Sequence, residues 1–219
     1  MIINKFISSP NYNERRVDTI DMIILHYTDT IDSRDSIDIM THPDREVSAH
    51  YLIDENGDII QLVEKANRAW HAGQSFWRGI TDINSHSIGI EIQNPGHGHG
   101  YREFPEEQMD SVLILCQDLV SQYDIPAHNI LAHSDIAPAR KKDPGELFDW
   151  NFLAENGVGI YPKPVANLNG GQSLDALLIS YGYDPSVTEI ERLTAFKRHF
   201  GWNDDENALL QKALFLNQA

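Results

Sequence analysis

The sequence predicts an α/β protein in which helices flank a central mixed β-sheet and a small three-helix module lies at the C-terminal end. Short apolar runs rich in β-branched residues, at 22–25 and 87–92, are typical of strands buried on both faces. An Asn-Gly pair at 56–57 stands between two β-rich runs and predicts a hairpin. Because helical segments alternate irregularly with these strands, the sequence favours a mixed sheet.

The composition is that of an ordinary globular protein, and it argues against several functions. Of the 219 residues, 41% are apolar and 23% are charged, which suits one domain with a small appendage. The net charge of −16 argues against a general nucleic-acid binder and against contact with anionic lipid, because both need a basic surface. The one cysteine, Cys116, cannot form an internal disulfide, and we expect it to be buried in a helix.

The sequence predicts neither a membrane span nor a secretory signal. It contains no run of about 18 apolar residues. The N-terminus also lacks a long apolar segment and a small-residue cleavage site. A chain whose signal had been removed would look the same, so the compartment stays open.

The first half of the chain contains the predicted hairpin and two strands that frame it. Pro43 breaks a short helix, and the segment before the last of these strands is aromatic and has little periodicity. In order, the predicted elements are an irregular segment at 1–20, a strand at 22–25 that ends at His26, a helix at 33–40, hairpin strands at 48–53 and 59–63, a loop-like segment at 65–86 and a strand at 87–92.

The strongest helix prediction begins at Pro105. Proline suits the first helical position, and Glu106 and Glu107 complement the positive end of the helix dipole. Apolar residues then recur at spacings of three and four, as expected for a helix with one buried face. These residues are Met109, Val112, Leu113, Cys116, Leu119, Val120 and Tyr123.

A strand at 130–133 follows and leads into a loop that runs to Gly145. Pro138 and Pro144 exclude a regular helix there, so we expect a loop with a fixed path. A composition shift then predicts a linker at 165–172 between a main domain at 1–164 and a helical module at 173–219. About fifty residues are marginal for an independent core, so we expect the module to pack on the main domain.

The loop after the last strand contains two candidate metal ligands. His133 ends the strand and Asp143 follows ten residues later, so the chain can bring both to one zinc ion. His26 also ends an apolar strand, and it would lie beside His133 if the two strands are neighbours. A catalytic zinc usually has three such ligands and one open position. The alternative is a surface loop with a capping aspartate and a solvated basic patch.

Two further residues are candidates for catalysis. Glu91 lies between Ile90 and Ile92 on a predicted buried strand, where a carboxylate is costly unless it has a partner or a task. Beside a zinc-bound water it could act as a general base. Lys141 could stabilise an oxyanion. The alternatives are a glutamate that faces solvent from an edge strand and a solvated surface lysine.

Five separated motifs, considered together, resemble the type 2 N-acetylmuramoyl-L-alanine amidases, zinc enzymes that share a fold with peptidoglycan recognition proteins. The resemblance covers roughly residues 8–164, and no single motif would be sufficient for it. The motifs are Ile24-Leu25-His26-Tyr27-Thr28, Ser48-Ala49-His50-Tyr51, Ala69-Trp70-His71-Ala72-Gly73, Ser87-Ile88-Gly89-Ile90-Glu91, and His133-Ser134-Asp135-Ile136-Ala137-Pro138 with Arg140-Lys141-Lys142-Asp143-Pro144-Gly145.

This resemblance implies that His26, His133 and Asp143 bind one Zn2+, that Glu91 is the catalytic carboxylate and that Lys141 stabilises the transition state. The competing lysine is Lys142. The reaction implied is hydrolysis of the amide between the lactyl group of (anhydro-)N-acetylmuramic acid and L-alanine of the stem peptide. The substrate partner would therefore be peptidoglycan or a muropeptide.

The resemblance also extends to weaker predictions. His50, Trp70 and His71 lie in family motifs and could line a substrate cleft, although buried packing roles are alternatives. The C-terminal part is similar to the small helical peptidoglycan-binding module of some members. That module favours polymeric or broad substrates and the periplasm or cell envelope, whereas the absence of a signal favours the cytoplasm. A non-catalytic recognition protein on the same fold is the rival function, and another zinc hydrolase is a second, although no His-Glu-x-x-His motif is present.

Overall fold

The computed structural model describes residues 3–163 and 171–218 and contains the predicted mixed sheet. The strands are β1 (Lys5–Phe6), β2 (Tyr12–Glu14), β3 (Met22–Tyr27), β4 (Tyr51–Ile53), β5 (Ile59–Gln61), β6 (Asn67–Ala69), β7 (Ser87–Ile92) and β8 (Ile130–Ala132). The helices are α1 (Ser33–Thr41), α2 (Ile83–His86), α3 (Gly96–His99), α4 (Glu106–Tyr123), α5 (His133–Ile136), α6 (Trp150–Glu155), α7 (Leu174–Tyr181), α8 (Glu189–Phe200) and α9 (Glu206–Leu216).

Six strands form the main sheet in the order β1-β5-β4-β7-β3-β8. The hairpin pair β4 and β5 is antiparallel, and the other neighbours in this sheet are parallel. Strands β2 and β6 form a separate antiparallel pair. The prediction of a mixed sheet with an internal hairpin is therefore confirmed.

Alternate residues of the central strand β3 pack against two different layers of helices. Ile23 and Leu25 belong to a buried cluster that includes the apolar stripe of α4, with Cys116 fully buried in it. Met22 and Ile24 face the opposite way and join a second cluster formed largely by α7, α8 and α9. His26 is the next residue on this second face, so the strand directs it towards the side that the C-terminal helices cover.

Several predicted boundaries shift for local reasons. Pro105 is the N-cap of α4 rather than its first helical residue, because its ψ of 149° is extended. His133 begins the single helical turn α5, which ends before Pro138 and which the predicted loop did not include. The segment at 96–99 likewise forms one helical turn. Strands β1, β2 and β6 depend on pairing with distant residues, which a local pattern does not reveal.

The three C-terminal helices pack directly on the rest of the protein. Phe196 and Phe200 of α8 belong to the same buried cluster as Met22 and Ile24 of the central strand. Of the predicted linker at 165–172, positions 165–170 lie outside the described residues, as do the predicted domain end at 164 and the C-terminal residue 219. Within the described residues, no helix combines the length and the hydrophobicity that a bilayer crossing requires.

Candidate active site

The sheet register brings the candidate residues to one edge of the sheet. Strand β3 lies between β7 and β8, and both neighbours run parallel to it. Leu25 is opposite Ala132, so His26 and His133 follow side by side at the carboxyl ends of neighbouring strands. Glu91 is directly opposite His26 on the other side. The assumption that these strands are neighbours is therefore met.

His26, His133 and Asp143 form a compact and buried group. Nδ1 of His26 lies 2.8 Å from Nδ1 of His133 and 3.0 Å from Oδ2 of Asp143, and the third distance, from His133 Nδ1 to Asp143 Oδ2, is 2.9 Å. Among the residues that the structure describes, this is the group of histidine, cysteine and carboxylate side chains that could hold a metal ion. The structure therefore brings the three predicted ligands together as a group that could hold a metal ion.

The loop after β8 holds Asp143 in place through its own backbone. Ser134 donates its N–H to the carbonyl oxygen of Asp143 at 3.0 Å, which closes the loop next to His133. Ala137 donates to His133, and Lys141 donates to Ala137, each at 3.0 Å. The loop therefore has the fixed path that its prolines predicted.

The electrostatics of the group suit metal binding. Burial, reinforced by His133, lowers the pKa of His26 to about 4, so this imidazole is neutral at pH 7. Burial alone would raise the pKa of Asp143, but His133 and His26 together hold that pKa below its usual range. The Nε2 atom of His133 lies 3.1 Å from the carbonyl oxygen of Ala72. Since a carbonyl only accepts, His133 donates through Nε2, and its Nδ1, on the side of Asp143, is the atom that would bind a metal ion.

Glu91 has the environment of a functional carboxylate. Burial, together with the nearby Asp143 carboxylate, raises the pKa of Glu91 well above 4.5, whereas Lys141 opposes this rise. The Oε2 atom is buried and has no hydrogen-bond partner within the described residues. A buried carboxylate oxygen without a partner is costly and marks a candidate site of chemistry.

A cavity of about 530 Å³ opens beside this group. Glu91, His133 and Asp143 line it, as do the two competing lysines. Lys141 is half-buried, whereas Lys142 is exposed. The structure thus places both lysines at the cavity and only Lys141 close enough to affect the pKa of Glu91.

The three predicted substrate-binding residues occupy different places. His71 lines the cavity, and its Nδ1 lies 3.1 Å from Nε2 of His26. His50 is buried and accepts a hydrogen bond from the backbone of Gly89 at 3.0 Å, so it packs behind the site. The indole of Trp70 donates to Oδ1 of Asn13 at 2.9 Å and does not line the cavity.

Several residues that surround the site were not predicted from the sequence. Arg140 donates to the carbonyl oxygen of Ala72 at 3.0 Å, the same oxygen that His133 contacts, and so connects the loop after β8 to the segment around Ala72. Buried Asp135 accepts from Ala132, at 2.8 Å, inside the same turn as His133. Ser87 lies on the same strand face as Glu91, four residues earlier, and this period-two spacing is a signal that could have identified it.

Helix α1 and the turn before it complete the far wall of the cavity. Their contribution has no sequence signal, because it arises from long-range packing. The residues from this region that line the cavity are Thr28, Asp29, Thr30, Ser36, Ile39 and Met40.

The chain belongs to the N-acetylmuramoyl-L-alanine amidase family. The family's sequence profile, Amidase_2, matches residues 16–146, which include all five residues predicted to bind the metal or act in catalysis. The predictions of an amidase and of the type 2 amidase fold are therefore confirmed.

Curated relatives carry the same activity in their names. The N-acetylmuramoyl-L-alanine amidase AmiD of Escherichia coli is 37% identical over 230 residues, which cover 89% of this chain and 82% of AmiD. The 1,6-anhydro-N-acetylmuramyl-L-alanine amidase AmpD of Enterobacter cloacae is 41% identical over 105 residues, covering 48% of this chain and 54% of AmpD.

Solved structures match nearly the whole chain. The complex of E. coli AmiD with anhydro-N-acetylmuramic acid-L-Ala-D-γ-Glu-L-Lys has a TM-score of 0.76 at 32% identity and covers 94% of this chain and 96% of AmiD. AmpDh3 from Pseudomonas aeruginosa has a TM-score of 0.78 at 28% identity and covers 100% of this chain and 97% of AmpDh3. The similarity therefore includes the C-terminal helices as well as the amidase region.

Proposed function

We propose that the chain is a zinc-dependent amidase that hydrolyses the bond between the lactyl group of (anhydro-)N-acetylmuramic acid and L-alanine of the stem peptide. His26, His133 and Asp143 would bind one Zn2+. Two imidazole nitrogens and a carboxylate oxygen are the donors that catalytic zinc prefers, and three protein ligands leave a position for water. The observation that carries the proposal is the convergence of these donor atoms, within 3.0 Å of one another, beside the unpaired carboxylate of Glu91.

Glu91 serves as general base and then as general acid in this proposal. When bound, zinc would lower the pKa of a water ligand to about 7 and polarise the scissile carbonyl. The Glu91 carboxylate takes a proton from the attacking water as the new C–O bond forms. It then gives that proton to the nitrogen of L-alanine as the C–N bond breaks, so the products are a lactyl carboxylate and a free stem peptide.

Lys141 stabilises the negative charge that develops on the carbonyl oxygen. Its half-buried side chain lines the same cavity as Glu91 and lowers the pKa of that carboxylate, which indicates that the ammonium group lies near the reacting atoms. Exposed Lys142 is more strongly solvated and would stabilise such a charge less. These differences support Lys141 over Lys142.

Product analysis and zinc content together test the assigned roles. Glu91→Ala is expected to keep zinc and to lose turnover by about 10²- to 10⁴-fold, the usual contribution of a general base. His26→Ala is expected to lose both zinc and activity. His128→Ala, at a half-buried position outside the cavity, is the control and should keep both. Near-full activity of Glu91→Ala towards an anhydro-muropeptide, measured by mass spectrometry, would show that the base is misassigned.

The rival function is a non-catalytic peptidoglycan recognition protein. The simultaneous presence of three metal ligands, Glu91 and Lys141 supports an enzyme instead. A protein that binds muropeptides but releases no stem peptide at any zinc concentration would favour the recognition protein.

We further propose that the substrates include intact murein as well as anhydro-muropeptides, and that the protein acts in the periplasm or cell envelope. The helices beyond the amidase match resemble a peptidoglycan-binding module, and this resemblance supports a polymeric substrate. The complexes of AmiD and of AmpDh3 with anhydromuramyl peptides support activity on the smaller fragments.

Parallel digestion of purified sacculi and of anhydro-muropeptides distinguishes the substrate ranges. We expect free stem peptides from both, identified by mass spectrometry. Release from the fragments alone would contradict a broad range and would favour a cytoplasmic recycling enzyme. Fractionation of the source cells provides an independent measurement of the compartment.

A further inference from the structure

We propose that Ser87 and His71 form a chain of hydrogen bonds that selects the tautomer of His26 and so keeps the Nδ1 lone pair of His26 available to the metal ion. Both are positioning residues, because they act on the metal through His26. The inference rests on the proposed function, since it takes His26 to be a metal ligand. The sequence predicted substrate contact for His71 and no role for Ser87.

A backbone carbonyl at one end of this chain of hydrogen bonds determines which group donates in each bond. The Ser87 hydroxyl lies 2.7 Å from the carbonyl oxygen of Ile83, which can only accept, so Ser87 donates its single proton there. Oγ of Ser87 is also 3.2 Å from Nε2 of His71. With its own proton engaged, the hydroxyl accepts this second bond, and His71 must therefore carry its N–H on Nε2.

The tautomer of His71 in turn determines the tautomer of His26. A neutral imidazole carries one N–H, so Nδ1 of His71 is an acceptor once its proton is on Nε2. Nδ1 of His71 lies 3.1 Å from Nε2 of His26, which therefore donates. The N–H of His26 is then on Nε2, and its Nδ1, which lies beside Asp143 and His133, is available to a metal ion bound between these residues.

His26 needs such a chain, whereas His133 does not. The partner of His133 Nε2 is the carbonyl oxygen of Ala72, which fixes that tautomer directly. The partner of His26 Nε2 is another imidazole, which can donate or accept. The tautomer of His26 therefore depends on a more distant contact, which is the hydrogen bond from the Ser87 hydroxyl to the Ile83 carbonyl.

Two features of the fold hold His71 in this position. The backbone N–H groups of His71 and Ala72 donate to Oδ1 of buried Asn84, at 3.1 and 2.8 Å. The ring lies against Gly89, where a Cβ would come within 2.4 Å of its Cγ. Ser87, Gly89 and Glu91 are alternate residues on one face of β7. This strand therefore provides the last residue of the hydrogen-bond chain, the space for the His71 ring and the proposed base.

The first test removes the Ser87 hydroxyl and measures zinc affinity by competition with a chromophoric chelator. Loss of such an outer partner of a metal ligand typically weakens binding by about 10- to 100-fold, and we expect Ser87→Ala to fall in this range. Ser85→Ala is the matched control, because Ser85 is equally buried but its hydroxyl bonds to Asp82 and Arg68 instead. Unchanged affinity in a folded Ser87→Ala protein would overturn the proposal.

A second pair of variants keeps the proposal testable if Ser87→Ala does not fold. Asn and Leu have nearly the same shape, but only Asn offers an acceptor near the position of Nδ1. His71→Asn should therefore retain more zinc affinity than His71→Leu. Equal affinities of the two variants would contradict a role in selecting the tautomer.

Nuclear magnetic resonance separates failure of this inference from failure of the proposed function. Long-range ¹H–¹⁵N correlations of the zinc-loaded protein report which ring nitrogen of each histidine carries a proton. We expect the Nε2–H tautomer for both His26 and His71, and an Nδ1–H signal at His71 would overturn the hydrogen-bond chain. Failure of the wild-type protein to bind zinc would instead contradict the proposed function.

Discussion

At the scale of single residues, Glu91 has a clear energetic cost in the metal-free protein. It lies on a strand between two fully buried isoleucines, its Oε2 has no partner within the described residues, and its pKa is raised well above 4.5 by burial and by Asp143. A carboxyl whose pKa is higher in the folded than in the unfolded protein favours folding only when protonated. Its ionised form therefore destabilises the fold.

Glu91→Gln is accordingly expected to stabilise the metal-free protein at pH 7. Glu91 is protonated in both the folded and the unfolded protein at a pH below the pKa that it has in the unfolded protein, so the two proteins should then differ least in stability. As the pH rises through the higher pKa of Glu91 in the folded protein, the wild type loses stability, whereas the glutamine variant does not. Thermal unfolding at several pH values measures the difference, at about 2–4 °C for each kcal/mol. Exposed Glu103→Gln is the control, and a pH-independent difference for Glu91→Gln would contradict the argument.

At the scale of secondary-structure elements, strand β7 approaches His71 so closely that only glycine fits at position 89. A Cβ on Gly89 would lie 2.4 Å from Cγ of His71 and 2.5 Å from its Cδ2. The ring cannot remain where it is beside an alanine, because real Cβ atoms do not approach other atoms so closely. The strand therefore fixes the ring by shape as well as by hydrogen bonds.

Gly89→Ala is expected to cost about 1–3 kcal/mol of stability, as overpacking usually does, and to weaken zinc binding by displacing His71. Denaturant unfolding and chelator competition measure the two effects. Gly171→Ala is the control, because no atom of the described residues lies within 4 Å of the added Cβ there. Wild-type zinc affinity in Gly89→Ala would show that the position of the ring is unimportant.

The turn α5 connects the loop that contains Asp143 to the C-terminal part of the chain through Asp135. Its Oδ1 accepts from the hydroxyl of Tyr183 at 2.6 Å, and its Oδ2 lies 2.6 Å from Nδ1 of His199. All three residues are buried, and Asp135 is two positions from His133. Burial raises the pKa of Tyr183 well above 10, so its hydroxyl remains a donor.

Removing the hydroxyl in Tyr183→Phe is expected to cost about 1.5–3 kcal/mol, the usual value of a hydrogen bond to a charged group. Because α5 also begins at His133, zinc affinity should fall with stability. Urea denaturation and zinc competition measure both. Tyr12→Phe, at an exposed position in β2, is the control and should change neither stability nor zinc affinity. If Tyr183→Phe lost stability but kept its zinc affinity, the contact would contribute to folding and not to zinc binding.

At the scale of the whole molecule, the C-terminal helices form a buried layer on the same face of the sheet as His26. Phe196, Phe200 and Leu178 share one apolar cluster with Met22 and Ile24 of the central strand. A layer that buries the central strand contributes to the stability of the site whether or not it also binds glycan. We therefore predict that both parts unfold together.

Calorimetry of the full chain should show one cooperative transition. Phe196→Ala, deep in the shared cluster, should destabilise by about 3–5 kcal/mol and move the entire transition to lower temperature. Exposed Ile190→Ala on the same helix is the control. Two transitions, with only one of them shifted by Phe196→Ala, would show that the module is an independent domain.

The sequence by itself determined the type of each main element and the chemistry at the ends of three strands. Continuous apolar runs and apolar residues with a period of 3.6 are patterns within a few neighbouring residues, so the strands before His26 and His133 and the long helix α4 could be predicted locally. The resemblance to a family added the roles of Glu91 and Lys141. The fold class and the amidase family were both confirmed on this basis.

Only the tertiary structure decided which strands are neighbours and which residues surround His26, His133 and Asp143. His26, Glu91 and His133 come together through the order β7-β3-β8, which no local pattern specifies, because the pairing of parallel strands depends on packing between distant segments. The Ser87 hydroxyl and the Asp135 carboxylate acquire their positions in the same way. Ser87 lies within hydrogen-bond distance of His71, and Asp135 of Tyr183 and His199, only because folding brings separate segments of the chain together.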